Sequence, residues 1–255
     1  MLHLFSPEGV AALATVMAAR PLLAFDFDGT LAPIVSRPDD ARVAHEIEQR
    51  LERLARVLPV AIVSGRRVDD IKKRLGFEPR YIVGNHGAED PLGAGVVASA
   101  LDGMRARLVD QAEVLDALGV SVEDKRYSIA LHYRLSPDPA RAFAFVTTLV
   151  DDLPSGLDAY GGKAVMNVVI ASAPDKADAV ASLVRRCGAS LAVFLGDDVN
   201  DEPVFATAPG EWLTVKIGRE PASSQARFYL ESPDEVALLL DRMLTLVASS
   251  DRTSG

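Results

Sequence analysis

Four stretches of this chain carry side chains that an ordinary core would not keep. The apolar run LLAFDFDGTLAPI (22–34) holds two aspartates, Asp26 and Asp28, close to its end. Burying a charge is costly unless it is paired, hydrogen-bonded or bound to a metal. IVSGRR (62–67) sets Ser64, Gly65 and Arg66 after a second apolar run, and FLGDDVNDE (194–202) ends a third with Asp197 and Asp198, with Asp201 three residues on. Lys176 sits near the start of a helix-like segment, where unpaired backbone N–H groups favour an anion. Acidic oxygens in that number suit a hard cation such as Mg²⁺. The cation, Ser64, Lys176 and the nearby amides together suit a phosphate. Residues two apart on a strand share a face, so Asp26 and Asp28 can serve one phosphorus. One would attack it and form an aspartyl-phosphate. The other would protonate the leaving oxygen and later activate water. Gly29 allows the tight turn that follows.

Plainer readings exist for each residue taken alone. A D-x-D is commonly a solvated turn, Ser64 a helix cap, Lys176 a surface lysine and Arg66 a salt-bridge residue. Ser64 is not a serine-hydrolase nucleophile, because no G-x-S-x-G elbow surrounds it. D-D-V-N-D-E is not a calcium loop, because Pro203 stands where the central glycine is required.

The elements that must position these residues alternate. PLLAF (21–25), PVAIV (59–63), RYIVG (80–84), LAVFLG (191–196) and WLTVKI (212–217) read as strands. Between them, Val43, Ile47, Leu51, Leu54 and Leu58 recur at helical spacing, as do Val68, Ile71 and Leu75. Further helices are expected after Ser6-Pro7, over 174–186 and over 233–247, with a frayed tail beyond Val247. Continuously apolar strands alternating with helices predict an α/β fold, a doubly wound parallel sheet of Rossmann-like kind. Its ligands belong at the carboxyl ends of the strands, where all four stretches fall. The middle differs: a helix over 101–118, strands SIALHYR (128–134) and KAVMNVVI (163–170), and a helix introduced by Pro137 and Pro139. It reads as an α+β cap (88–172) inserted into a discontinuous core (1–87 and 173–255).

The 255 residues carry a formal charge of -9, which argues against a nucleic-acid surface, and 49% hydrophobic residues, enough for a sizeable core. Cys187, the single cysteine, excludes an internal disulfide and fits a reducing compartment. No apolar run reaches the ~18 residues of a membrane span. The N-terminus lacks the basic start and small-residue cleavage site of a secretory leader. A cytoplasmic monomer acting on a small molecule is the expectation.

The motifs together resemble a known family. D-x-D-G-T, a hydroxyl after a second strand, a later lysine and G-D-D-x-x-D are similar to the phosphatases of the haloacid dehalogenase superfamily. DFDGTLAPI, VSGR, GNHGAE (84–89), VEDKRYSIALHYR (122–134), GGK and GDDVNDE resemble, in order and over nearly the whole chain, the trehalose-6-phosphate phosphatases. The resemblance implies Asp26 as nucleophile and metal ligand, and Asp28 as general acid/base with its carbonyl on the metal. It puts Ser64, Gly65 and Lys176 on the phosphate. Asp197 ligates Mg²⁺ and Asp198 supports that site. Glu123 and Lys125 bind sugar hydroxyls, Asn85 and His86 line the cleft, and Arg66 stands near its entrance. One departure stands out: Asn167 occupies the place of a sugar-binding glutamate, which replaces a charged acceptor by a neutral one. A phosphatase for trehalose 6-phosphate is the implied activity. A phosphatase for another sugar or glycosyl phosphate, a phosphosugar mutase and an inert sugar-phosphate sensor are the alternatives.

Overall fold

In chain order the strands are β1 (Leu2–His3), β2 (Leu22–Phe25), β3 (Val60–Val63), β4 (Tyr81–Val83), β5 (Ser121–Asp124), β6 (Ser128–His132), β7 (Leu157–Gly162), β8 (Val165–Ile170), β9 (Ala192–Gly196), β10 (Leu213–Ile217) and β11 (Phe228–Leu230). The helices are α1 (Pro7–Ala18), α2 (His45–Ala55), α3 (Val68–Lys72), α4 (Asp102–Asp110), α5 (Ala112–Ala117), α6 (Pro139–Val150), α7 (Lys176–Cys187), α8 (Glu202–Thr207) and α9 (Asp234–Thr253). The structure is a computed structural model and describes residues 1–93, 97–220 and 222–253. It divides into two units, Met1–Pro91 with the chain from Pro174 onward, and Leu92–Ala173.

The first unit holds a seven-stranded sheet in the order β1-β11-β10-β9-β2-β3-β4, and every neighbouring pair is parallel. Its strands are apolar on both faces because helices cover both. In β2, Leu23 and Phe25 join the core made with α1, α2 and α9, through residues such as Leu13, Leu51 and Leu239. Leu22 and Ala24 point the other way, onto Val180 and Leu183 of α7 and Phe205 of α8. This alternation has a chemical consequence one step further on. Asp26 continues the face of Leu22 and Ala24, toward the helix that begins with Lys176.

The second unit has an antiparallel sheet in the order β5-β6-β8-β7. One face packs on α4, α5 and α6, with Met104, Leu108, Leu115 and Val146 against Ile129, Leu131, Met166 and Val168. The single helix expected over 101–118 is divided at Gln111, whose φ of -103° and ψ of 8° lie outside the helical well. The edge strands β5 and β7 and, in the first unit, β1 and β11 lie outside the sequence expectation. The expected frayed tail is corrected too: α9 runs on to Thr253, and the residues after it lie outside those described. Cys187 ends α7, its thiol donating to the carbonyl of Val184 at 3.4 Å. No described helix is long and apolar enough to cross a membrane.

Candidate active site

The ends of β2 and β9, hydrogen-bonded neighbours in the middle of the large sheet, release the two acidic stretches side by side. Asp26 is 4% exposed, Asp197 6%, Lys176 1% and Asp201 0%. The Lys176 ammonium donates to Asp26 Oδ1 at 2.7 Å and to Asp201 Oδ1 at 2.6 Å. Lys176 is the first residue of α7, and its place is set by a capping box. Asp175 accepts from the amide of Asp178 at 2.9 Å, and Asp178 accepts from that of Asp175 at 3.2 Å. Asp201 Oδ2 accepts the amides of Asp197 and Asp198, both at 2.9 Å. It reaches them because residues 199–201 form one tight turn that folds the chain back under itself.

Burial, the largest influence, and the carboxylates of Asp201 and Asp197 push Asp26 well above the usual carboxylate range, with Lys176 opposing. Burial pulls Lys176 down, but Asp201 and Asp26 outweigh it and hold the ammonium firmly protonated. One oxygen each from Asp26, Asp197 and Asp201 lies within 4.8 Å of the others. Three buried carboxylates with one ammonium among them leave an excess of negative charge. All the donors are hard oxygens, so the set fits a divalent cation such as Mg²⁺. Gly29, with φ of +82°, lets the loop after β2 lie against this group; a Cβ there would overlap the Asp197 carboxylate.

Asp198, expected in the metal site, lies outside the three-carboxylate group. Its side chain accepts from Asn200 at 3.3 Å, and the third carboxylate of the group is that of Asp201. The carboxylate of Asp28 also lies outside the group. Arg66 grips it with two prongs, Nε to Oδ2 at 2.6 Å and Nη2 to Oδ1 at 2.7 Å. Lys216 was legible only as part of WLTVKI. It is buried on β10, donates to the carbonyl of Asp197 at 3.1 Å and lies 3.5 Å from Glu202.

Ser64 and Gly65 follow β3, next to β2 in the sheet. Ser64 is buried and its Oγ accepts from the amide of Arg66 at 3.2 Å. It does not cap α3, whose cap residue is Arg67. The GNHGAE stretch follows β4 and laces itself to this loop. The Asn85 amide donates to the Arg66 carbonyl and the His86 amide to that of Ser64, each at 2.9 Å. Asn85 and His86 hold left-handed backbone, φ 50° and 59°, at a cost of roughly 1–2 kcal/mol each. Glu89 offsets that cost, accepting from the Asn85 side-chain amide at 2.7 Å and from the Val68 amide at 3.1 Å. Asn85 is only 1% exposed, and its contact with Glu89 braces the loop. The His86 ring lies against Gly65, where a Cβ would overlap it.

The other three predicted residues share one face of the second unit's sheet. The register runs Glu123, Ala130, Asn167, Tyr160 straight across its four strands, and residues opposite one another point to the same side. Ile129, Val168 and Ala159, one step along, point into the helical core. The polar row is therefore on the other face. His132 Nε2 lies 2.9 Å from Glu123 Oε2, and Lys125 Nζ 3.8 Å from the same oxygen. Asn167 and Lys125 are buried. Tyr160 was missed, because nothing in LDAYGG marks a strand.

Solved structures place the architecture first. A haloacid dehalogenase-like hydrolase from B. subtilis matches at a TM-score of 0.59 and 17% identity, over 86% of this chain and 98% of that one. The C-terminal domain of C. albicans trehalose-6-phosphate phosphatase matches at a TM-score of 0.77 and 21% identity, over 93% and 98%. The fold is that of the haloacid dehalogenase-like hydrolases. The sequence pattern of the trehalose-phosphatase family matches residues 24–233, and the chain belongs to that family. Among its relatives, an uncharacterized glycosyl hydrolase of Mycobacterium tuberculosis is 30% identical in an alignment 241 positions long that covers 88% of this chain and 18% of that protein. Probable trehalose-phosphate phosphatase D of Arabidopsis thaliana is 27% identical in an alignment 245 positions long that covers 86% of this chain and 66% of that protein. The chain thus spans less than two thirds of either relative.

Proposed function

We propose that this chain is a Mg²⁺-dependent phosphatase that hydrolyses trehalose 6-phosphate to trehalose and phosphate. The observation that carries the reading is the buried group of Asp26, Lys176, Asp201 and Asp197 at the ends of two adjacent parallel strands. An Asp26 oxygen attacks phosphorus, and the bond from phosphorus to the sugar oxygen breaks as Asp28 gives that oxygen its proton. Asp28 then takes a proton from water, which attacks the aspartyl-phosphate, frees phosphate and restores Asp26. Ser64, the Gly65 amide and Lys176 hold the phosphoryl oxygens through both steps. Asp26, Asp197 and the Asp28 carbonyl would hold the cation, which would add to the neutralisation of those oxygens. Glu123, Lys125 and Asn167 on the second unit bind the sugar. That unit serves as the recognition cap, and the protein works as a cytoplasmic monomer without nucleic acid or membrane.

Asn167 supports a second reading, a phosphatase for another sugar phosphate. Phosphate release from trehalose 6-phosphate, with and without Mg²⁺, is compared with glucose 6-phosphate, sucrose 6-phosphate and glucosylglycerate phosphate. Selective, Mg²⁺-dependent release from trehalose 6-phosphate is expected. Release only from another of the four would refute the substrate and keep the reaction. Release from none would refute both.

A further inference from the structure

Asp28 hangs from a chain of ion pairs that leads away from the carboxylate cluster. Arg66 holds both of its oxygens, at 2.6 and 2.7 Å, and spends its third nitrogen, Nη1, on Asp70 Oδ2 at 2.8 Å. Arg74 takes the same Asp70 oxygen through Nε at 2.8 Å and the other through Nη2 at 2.7 Å. Arg74 in turn donates through Nη1 to the carbonyls of Asp39 at 2.8 Å and Ala41 at 3.2 Å. Residues 66, 70 and 74 are four apart and stack along α3 and its flanks. The side chains of Arg66 and Arg74 are 11% and 5% exposed, and the Phe27 ring lies 5.5 Å from the Arg66 guanidinium. Each guanidinium plane is thus fixed on several sides. A guanidinium held in one plane fixes the plane of the carboxylate it grips.

We propose that Asp70, anchored by Arg74, is a positioning residue for Asp28 and acts through Arg66. The inference rests on the phosphatase reading and deepens it. Asp28 lies three residues beyond β2, where the following loop begins, and its side chain is 40% exposed, so nothing in β2 itself fixes the carboxylate. A proton donor or acceptor works only within hydrogen-bond reach of the reacting oxygen, and errors of about 1 Å can cost two orders of magnitude in rate. The chain from Asp28 to the carbonyls of Asp39 and Ala41 supplies that constraint from main-chain atoms outside the strand.

The test separates the two proton transfers. A sugar alkoxide needs a proton to leave; p-nitrophenolate and acetate do not. Both kinds of substrate then need water activated against the aspartyl-phosphate. In Asp70→Asn the steady-state kcat should fall about 10- to 100-fold on the sugar phosphate that the wild type hydrolyses, a part of the ~10²–10⁴ that general acid–base catalysis contributes. With p-nitrophenyl phosphate or acetyl phosphate, whichever the wild type turns over, the first turnover should keep its wild-type rate while later turnovers slow. One leaving group per enzyme would then appear as a burst. If Asp70→Asn does not fold, Arg74→Lys keeps the charge, gives up the second prong on Asp70, and should show the same pattern with a smaller loss. A first turnover slowed as much as the steady state would make Asp70 merely structural. An unchanged or raised kcat would also overturn the proposal. A wild type that releases phosphate from no substrate would instead overturn the phosphatase reading beneath it.

Discussion

Replacing Lys176 by methionine keeps most of the side chain's volume and removes its charge. Its ammonium sits 2.7 Å from Asp26 and 2.6 Å from Asp201, with all three groups almost fully buried. At an effective dielectric of about 20, each pair is worth roughly 6 kcal/mol of gross attraction. Desolvation of the lysine cancels much of this, and breaking a buried pair costs about 3–5 kcal/mol, because the remaining charges are stranded. At about 2–4 °C of Tm per kcal/mol for a chain of this size, Lys176→Met should melt roughly 6–20 °C below the wild type without metal. Mg²⁺ should recover part of that loss, because a cation can neutralise the same carboxylates. Phosphate release should stay abolished, since the phosphoryl oxygens lose their ammonium partner. Thermal melting of both proteins, with and without Mg²⁺, reads all of this. A mutant melting within about 2 °C of the wild type without metal would refute the electrostatic argument, since even a loss of 1 kcal/mol moves Tm by that much. A Mg²⁺ response no larger than the wild type's would refute the shared role of cation and lysine.

Asp201→Asn should lose turnover nearly as severely as Lys176→Met, because its oxygens serve Lys176 and the amides of Asp197 and Asp198. Asp198→Asn should lose less than about tenfold in kcat, about 1.4 kcal/mol; steady-state kinetics of the pair decide whether Asp201 or Asp198 supports the site. Gly29→Ala sets a Cβ against the Asp197 carboxylate at a φ of +82°. Mg²⁺ titrated calorimetrically should bind it more weakly than the wild type, and equal affinity would contradict the close approach. Burial raises Asp70, but Arg74 and Arg66 outweigh it and hold the carboxyl below its ordinary 3.8. A depressed carboxyl contributes stability that is present above the unfolded pKa and is lost as pH falls through the folded value. Melting temperatures of wild type and Asp70→Asn should therefore differ near neutrality and converge as the pH drops below about 4; a gap that persists in acid would deny the shift.

The centre of the large sheet was legible because buried parallel strands leave a plain mark. LLAF and VAIV are apolar at every position, and the acids that end such runs have no other reason to be there. The outer strands leave no such mark. β1 has two residues and exists through its pairing with Phe228 and Tyr229, a partner far along the chain. All four residues of β5, Ser121–Asp124, are exposed, and two of them are acidic, so their composition reads as loop. In β7, two glycines do the same. Within the site, residue types were readable but directions were not. Asp198 and Asp201 look equivalent in GDDVNDE; only the tight turn over 199–201 sends the second back onto the amides of Asp197 and Asp198. Nothing in GNHGAE tells that Asn85 takes left-handed backbone and gives its side-chain amide to Glu89. Lys216 is hidden by the apolar company it keeps in its strand.

The pairing of β2 with β9 also governs when this protein can exist at all. Lys176 meets Asp26 across 150 residues of sequence, and β9 pairs with β2 only after the whole segment Leu92–Ala173 has been made. Contacts so remote in sequence form slowly, because chain closure must precede any reward. The intervening unit is built from antiparallel neighbours and short-range helices, so on a ribosome it can mature while β2, β3 and β4 still lack their central partner. The large sheet would wait with the apolar edge of β2 unpaired until β9 to β11 emerge, a period of exposure to aggregation and to chaperones. A product ending before β9 would lack Asp197 and Asp201 and so could not assemble the three-carboxylate group.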